Sequence, residues 1–265
     1  MENKINKQYY LPLLKDFCNK TIPLYENGAY DQGPFIPYVM SNYYDASNKI
    51  MYVGRDTYYW ESFETLLNAY KGDNLGLYLD ANKRCVNVEK MLEWKNNTGS
   101  FWNMVDKLHL LIRTGNYYSD ITTIGLEEKS LLEEIGYGNL YSIEILKTIL
   151  KRYEDDDYQP PKEYWEICEA AKPFETLKSM IEAYNPDYVF VFSWIDKEND
   201  FLKGTDFSFQ KEWYEDSFRS VFTSKKYNTK LIWTSHPNRY SFLQTSVEEM
   251  CTYLADTYRK LSLLE

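Results

Sequence analysis

Two residues in this chain carry the side chains for acid–base or electrostatic work and stand where a fold can use them. Asp56 follows the run "KIMYVGR", and His236 follows "NTKLIWTS". Both runs are apolar and β-rich, so each residue falls just beyond the carboxyl end of an expected buried strand. A carboxylate and an imidazole that face one pocket can move a proton or stabilise developing charge. Taken singly, both have plainer readings. A turn aspartate accepts backbone N–H groups, "HP" is a turn, and Gly54 lets the chain change direction. The cluster Tyr58–Tyr59–Trp60 reads equally as a packed plug or as a platform for a planar ligand.

The surrounding pattern is one of strands alternating with helices. "WESFETLLNAY" puts Phe63, Leu66, Leu67 and Tyr70 on one helical face, and "SFWNMVDKLHLLI" does the same with Phe101, Val105, Leu108 and Ile112, with Ser100 as its cap. "LLEEIGYGNLYSIEILKTILKR" begins as helix or short strand, breaks at Gly136 and Gly138, and resumes as helix. Pro173 opens a helix that buries Phe174, Leu177, Met180, Ile181 and Tyr184. "NPDYVFVFSW" is a turn and then a strand covered on both faces. The last helix, "SVEEMCTYLADTYRKL", starts on a capping box of Ser246 and Glu249. His109 and Trp194 read as core residues. The pattern is that of an α/β fold with a mostly parallel sheet, in which ligands bind outside the carboxyl ends of the strands. Residues 1–45 form an N-terminal helical and irregular extension, and residues 46–265 form the α/β domain.

Composition narrows the chemistry. The chain has 265 residues, a net charge of −10, four cysteines and two histidines. Cys18, Cys85, Cys168 and Cys251 are far apart in sequence, which excludes CxxC metal knuckles, and two histidines exclude a histidine-rich metal site. The cysteines read as reduced and mostly buried. Neither a metal nor a cofactor is expected. The acidic loop at residues 154–157 reads as solvated charge. No apolar run is long enough to span a membrane, and "MENKINKQYY" has no secretory apolar core. A cytoplasmic monomer is the expectation. A basic footprint, usual for proteins that grip duplex nucleic acid, is missing from the total charge, while 26 tyrosines offer stacking surface with a polar tip.

In order along the chain, these pieces resemble the uracil-DNA glycosylase superfamily. The strand "IMYVG" followed by "RDTYYW" is similar to that family's G-Q-D-P-Y-H loop, matching at Gly54, Asp56 and Tyr58. "GSFWNMVDKL" resembles its P-S-L-x-N-I-x-K-E-L segment through Ser100, Asn103 and Lys107. "EIGYGN" puts Asn139 where the family has a strand ending in asparagine. "HPNRYS" resembles H-P-S-P-L-S through His236, Pro237 and Ser241. The resemblance spans roughly residues 46–260. It departs at Thr57, Tyr59, Asn238 and Arg239, and Trp60 adds bulk at the mouth.

The resemblance implies a three-layer α/β sandwich around a central, mostly parallel four-stranded sheet. It implies an enzyme that hydrolyses the N-glycosidic bond of uracil, or of a related damaged or modified base, flipped out of single- or double-stranded DNA. Asp56 would stabilise the cationic sugar and orient water, and neutral His236 would donate to the departing base. The Asn139 amide would pair with the base edge. Tyr58 would stand beside C5, Ser100 and Ser241 would touch phosphates, and Tyr240 would occupy the wedge position. Phe63 or Phe101 would be the stacking platform, and Gly54 would belong to the substrate-binding set. Arg55 and Arg239 would supply local positive charge. The altered acid loop and the −10 charge leave a second reading open: a catalytically silent relative that binds a nucleotide, single-stranded nucleic acid or a protein.

Overall fold

The computed structural model describes residues 5–26, 30–57, 62–81, 100–145, 159–193, 201–210, 219–240 and 243–263, together with Val88 and Leu92. Its strands are β1 (Tyr38–Val39), β2 (Ile50–Asp56), β3 (Ile135–Tyr141), β4 (Tyr188–Ser193), β5 (Ser208–Phe209), β6 (Arg219–Thr223) and β7 (Lys230–Ser235). They form one sheet in the order β1-β3-β2-β4-β7-β6-β5. The four central strands, β3, β2, β4 and β7, are parallel. β1 closes one edge antiparallel, and β6 and then β5 close the other.

The sheet therefore has seven strands among the described residues, where four were expected. The surplus lies at the edges. β1 and β5 are two residues each, too short to leave a periodic trace in sequence. β6 alternates buried and half-buried residues, a weaker signal than the unbroken apolar run of β4. All six β4 residues are buried, as a strand covered on both faces requires.

The described helices are α1 (Lys7–Glu26), α2 (Phe63–Lys71), α3 (Leu75–Ala81), α4 (Ser100–Thr114), α5 (Leu126–Leu132), α6 (Lys162–Ala171), α7 (Leu177–Tyr184) and α8 (Val247–Ser262). Two of them cover one face of the sheet. From α4, Trp102 meets Tyr137 at 4.8 Å between ring centroids, and the His109 Nδ1 lies 3.1 Å from the Tyr52 hydroxyl. From α8, Tyr258 meets Tyr188 at 4.6 Å. The opposite face carries α7, whose Met180 lies against Gly138. His109 is fully buried, and that burial pushes its imidazole well below its ordinary pKa, so it is a core residue as expected.

The amino-terminal helix is part of this packing. α1 buries Tyr10, Leu14, Phe17 and Cys18. Its Tyr10 ring lies 5.9 Å from Tyr184, and Phe17 lies 5.8 Å from Phe174. Burying each such side chain stabilises the fold by about 1.5–3 kcal/mol. Cys18 and Cys251 are buried free thiols and Cys168 is half-buried; Cys85, Trp194 and the acidic loop lie outside the described residues. No described helix is long and apolar enough to cross a membrane.

Local capping rules held where a side chain does the work. Ser246 and Glu249 form the expected capping box on α8. α7 starts differently from the expectation. Pro173 sits in a 3-10 turn (Lys172–Phe174), and the Thr176 hydroxyl accepts from the Ser179 N–H at 3.1 Å to open the helix. The residues that precede Ser100, and its side chain, lie outside the described residues, and so does the cap expected there.

The largest correction concerns Gly136 and Gly138. They do not break the chain; β3 runs through both. They are glycines because neighbours press on them. A β-carbon at 136 would stand 2.6 Å from the Met51 Cγ, 3.1 Å from Tyr43 Cε2 and 3.3 Å from Val39 Cγ1. One at 138 would stand 2.6 Å from the terminal methyl of Met180. Gly136→Ala is expected to cost about 1–3 kcal/mol, because packed core atoms must shift. Gly138→Ala should cost under about 1 kcal/mol, because the flexible end of a methionine can turn aside. Urea unfolding of the two variants measures the difference, and equal losses would contradict this account.

Candidate functional site

The parallel ladder aligns the carboxyl ends of β3, β2, β4 and β7 along one edge. Gly54 pairs with Asn139, Val53 with Val191, and Ser193 with Ser235. In chain order the parallel strands add first on one side of β2 and then on the other, so the β2/β4 boundary is the switch point where doubly wound sheets open a crevice.

At that edge the missing side chain of Gly54 is filled by two neighbours. A β-carbon there would stand 2.8 Å from the Asn139 Oδ1 and 3.4 Å from the Phe101 Cζ. Gly54 and Asn139 project to the same face as Tyr52 and Tyr137, two residues earlier, which is the face covered by α4. Phe101, in the first turn of α4, thus leans over the β2–β3 pair, with Phe192 of β4 behind it at 5.8 Å edge to face. Asn139 and Phe101 are both half-buried. Among the described residues no hydrogen bond takes up the Asn139 amide. Phe63, the other aromatic considered for the platform, is stacked on Tyr25 at 4.2 Å. Of the two, Phe101 is the ring at the strand ends.

His236 follows β7 directly. Its backbone N–H donates to the Ser193 carbonyl at 3.0 Å, which extends the β4–β7 ladder by one bond. Its Nδ1 accepts the Asn238 N–H at 3.2 Å, at the head of a 3-10 turn (Pro237–Arg239). Burial, and after it the positive charge of Arg55, lowers its pKa from 6.5 to about 4. The ring is therefore neutral at pH 7. With Nδ1 spent as an acceptor, the proton of the neutral ring sits on Nε2. The sheet order sets the ends of β2 and β7 two strand spacings apart across β4, about 10 Å.

The structure thus brings Gly54, Asn139 and Phe101 together and couples Arg55 to His236. Asp56 is the last residue of β2, paired with Tyr141; its side chain, and that of Ser100, lie outside the described residues. Tyr58, Trp60 and Ser241 lie outside them as well. Thr57, which follows β2, is buried. Tyr240 departs from its expected role. It is 3% exposed, with its hydroxyl pushed up by burial, so its ring packs inward and is not presented to a duplex. One residue at this edge escaped the sequence reading: Arg219, which opens β6 opposite Thr234 of β7. Its only trace in sequence is an arginine at the start of a short β-rich run. Among the described residues no group of three or more His, Cys, Asp or Glu side chains is arranged to hold a metal ion.

His236 gives a pH test. Above pH 6.5 its ring is neutral in both the folded and the unfolded chain. As pH falls from 6.5 to 4 the unfolded chain takes up a proton that the folded chain refuses, so its contribution lowers stability by about 3 kcal/mol across that window. His236→Asn is expected to remove that part of the acid destabilisation, read as a smaller loss of unfolding free energy between pH 7 and pH 4.

No family model matches this chain, and no curated protein matches it.

Proposed function

We propose that the protein acts on a nucleobase flipped out of DNA and hydrolyses its N-glycosidic bond, with uracil or a related modified base as substrate. The observation that carries this reading is the convergence of the Asn139 amide and the Phe101 ring over Gly54. An amide offers one donor and one acceptor side by side, the complement of the N3–H and O4 edge of uracil. An aromatic ring beside it gives a planar base a surface to stack on. The two stand at the carboxyl edge of parallel strands, where such sheets hold ligands.

The chemistry then follows from charge. Bond cleavage leaves a cationic sugar and an anionic base. Asp56, at the end of β2, stabilises the cation and orients water. His236, neutral and carrying its proton on Nε2, donates to the base oxygen as negative charge builds. A histidine that stays neutral down to about pH 4 is an electrophile and not a general acid. The roles of Tyr58 beside C5 and of Ser100 and Ser241 at phosphates rest on the sequence resemblance alone. No cofactor takes part.

The net charge of −10 and the inward Tyr240 favour a second reading, in which the same strand-end residues hold a nucleotide or a single strand without cutting it. One assay separates the two. Uracil-bearing single- and double-stranded oligonucleotides are incubated with the protein, and abasic sites are revealed by alkaline cleavage. The expected result is cleavage that is lost in Asp56→Asn and falls about 10²–10³-fold in His236→Ala. The rate should show no inflection near pH 6.5. Gly54→Ala, whose added methyl occupies the space shared by Asn139 and Phe101, should abolish turnover in a folded protein. Absence of abasic product from uracil, hypoxanthine and oxidised bases at enzyme excess would replace this reading with the second.

A further inference from the structure

Arg219 is 5% exposed. Its guanidinium carbon lies 4.3 Å from the centroid of the Tyr253 ring on α8, and its Nε has no hydrogen-bond partner. Among the described residues no carboxylate pairs with it. A buried cation without an acid loses several kcal/mol of hydration, of which stacking on one ring restores only part. Arginine cannot escape by releasing its proton. Packing alone is served as well by methionine, which brings no such cost. The position makes physical sense as a fork waiting for an anion.

The register says where that fork stands. Arg219 pairs with Thr234, and Thr234 pairs with Phe192. Val53 pairs with Val191, so Gly54 continues the ladder beside Phe192, and Gly54 pairs with Asn139. Paired residues project to one face of a sheet. Asn139, Gly54, Phe192, Thr234 and Arg219 therefore form a single row on the face covered by α4 and α8. Three strand spacings separate Gly54 from Arg219, about 14 Å. That is the rise of about four nucleotides along the axis of a duplex.

We propose that Arg219 is a phosphate site. Its guanidinium fork, stacked on Tyr253, receives a phosphate of the nucleic-acid strand whose base is held between Asn139 and Phe101. The identity of that strand rests on the function proposed above, but the anion chemistry at Arg219 does not. A mononucleotide or free phosphate carries the same group, and the test distinguishes these sources.

The test uses the full chain as wild type, Arg219→Met and Arg219→Lys. The probes are a fluorescent single-stranded oligonucleotide without uracil, deoxyuridine monophosphate and inorganic phosphate. Without ligand, Arg219→Met should melt at a higher temperature than wild type, because an unpaired buried charge is gone. It should bind the oligonucleotide about tenfold more weakly. The slope of log affinity against log salt should shrink by about 0.7, one phosphate contact on a single strand. Arg219→Lys keeps the charge but not the fork, so it should weaken binding about threefold with the slope intact. If instead the monophosphate or inorganic phosphate raises the wild-type melting temperature, this gain is lost in Arg219→Met, and the oligonucleotide does not bind, the site stands and its source is the small anion.

A lower melting temperature in Arg219→Met with unchanged affinity for all three probes makes Arg219 a packing residue and overturns the proposal. Should that variant fail to fold, unchanged affinities in Arg219→Lys overturn it. Cleavage is not part of the readout. A protein that cuts nothing but shows Arg219-dependent binding sinks the proposed activity alone. One that cuts uracil while Arg219→Met binds like wild type sinks the phosphate site alone.

Discussion

The hydrogen-bond register that holds β2 between β3 and β4 decides where every candidate side chain stands. Side chains alternate along a strand, so a slip of one residue between β2 and β3 would send Asn139 to the wrong face and set Leu140 beside Gly54. Packing on both faces forbids the slip. Tyr52 and Tyr137 point into the layer of α4, where His109 and Trp102 receive them. Met51 and Val53 lie on the other face beside Gly136 and Gly138, the residues of β3 that leave room for Met51 and Met180. The placement of Gly54 and Asn139 thus follows from core packing two and three residues deeper in the same strands.

Electrostatics at this edge run against the character of the whole chain. The net charge is −10, yet Arg55, Arg219 and Arg239 all sit at the carboxyl ends of the central strands or beside them. The effect is visible on His236, whose proton affinity falls first through burial and then through Arg55. Total charge is an average over the whole chain and does not describe the sign of the field at one sheet edge.

Much of the fold was legible because its strongest signals are local. β2, β4 and β7 were read from unbroken apolar runs, α2 and α4 from their 3.6-residue periodicity, and the start of α8 from a capping box. β3 was misread from pattern because glycine weakens a strand and usually marks a turn. Here it answers crowding from methionines distant in sequence, which no window on the chain can see. The two-residue strands β1 and β5 and the weakly patterned β6 were missed for want of a period. Of the candidate residues, Gly54 and His236 were singled out from their places at strand ends and Asn139 from the order of the motifs; Phe101 was one of two aromatic choices, and the fold stacks the other, Phe63, on Tyr25. The burial of the Tyr240 ring was not legible, because sequence order says nothing about which way a ring turns after a 3-10 turn. The burial of Arg219 against Tyr253 was not legible, because it depends on a helix that follows it by some thirty residues.

The docking of α1 reaches beyond stability. Its amino-terminal end is tied to the far side of the chain: the Asn6 amide donates to the Ala183 carbonyl at 2.8 Å, and the Tyr9 hydroxyl donates to Glu182 at 2.9 Å. Tyr10 and Phe17 lie against rings at 184 and 174. On the ribosome this helix precedes its partners: Tyr25 can meet Phe63 early, but Tyr10 and Phe17 reach their ring partners only once residues 184 and 174 have been made. Contacts this distant in sequence form late and slow the completion of the core.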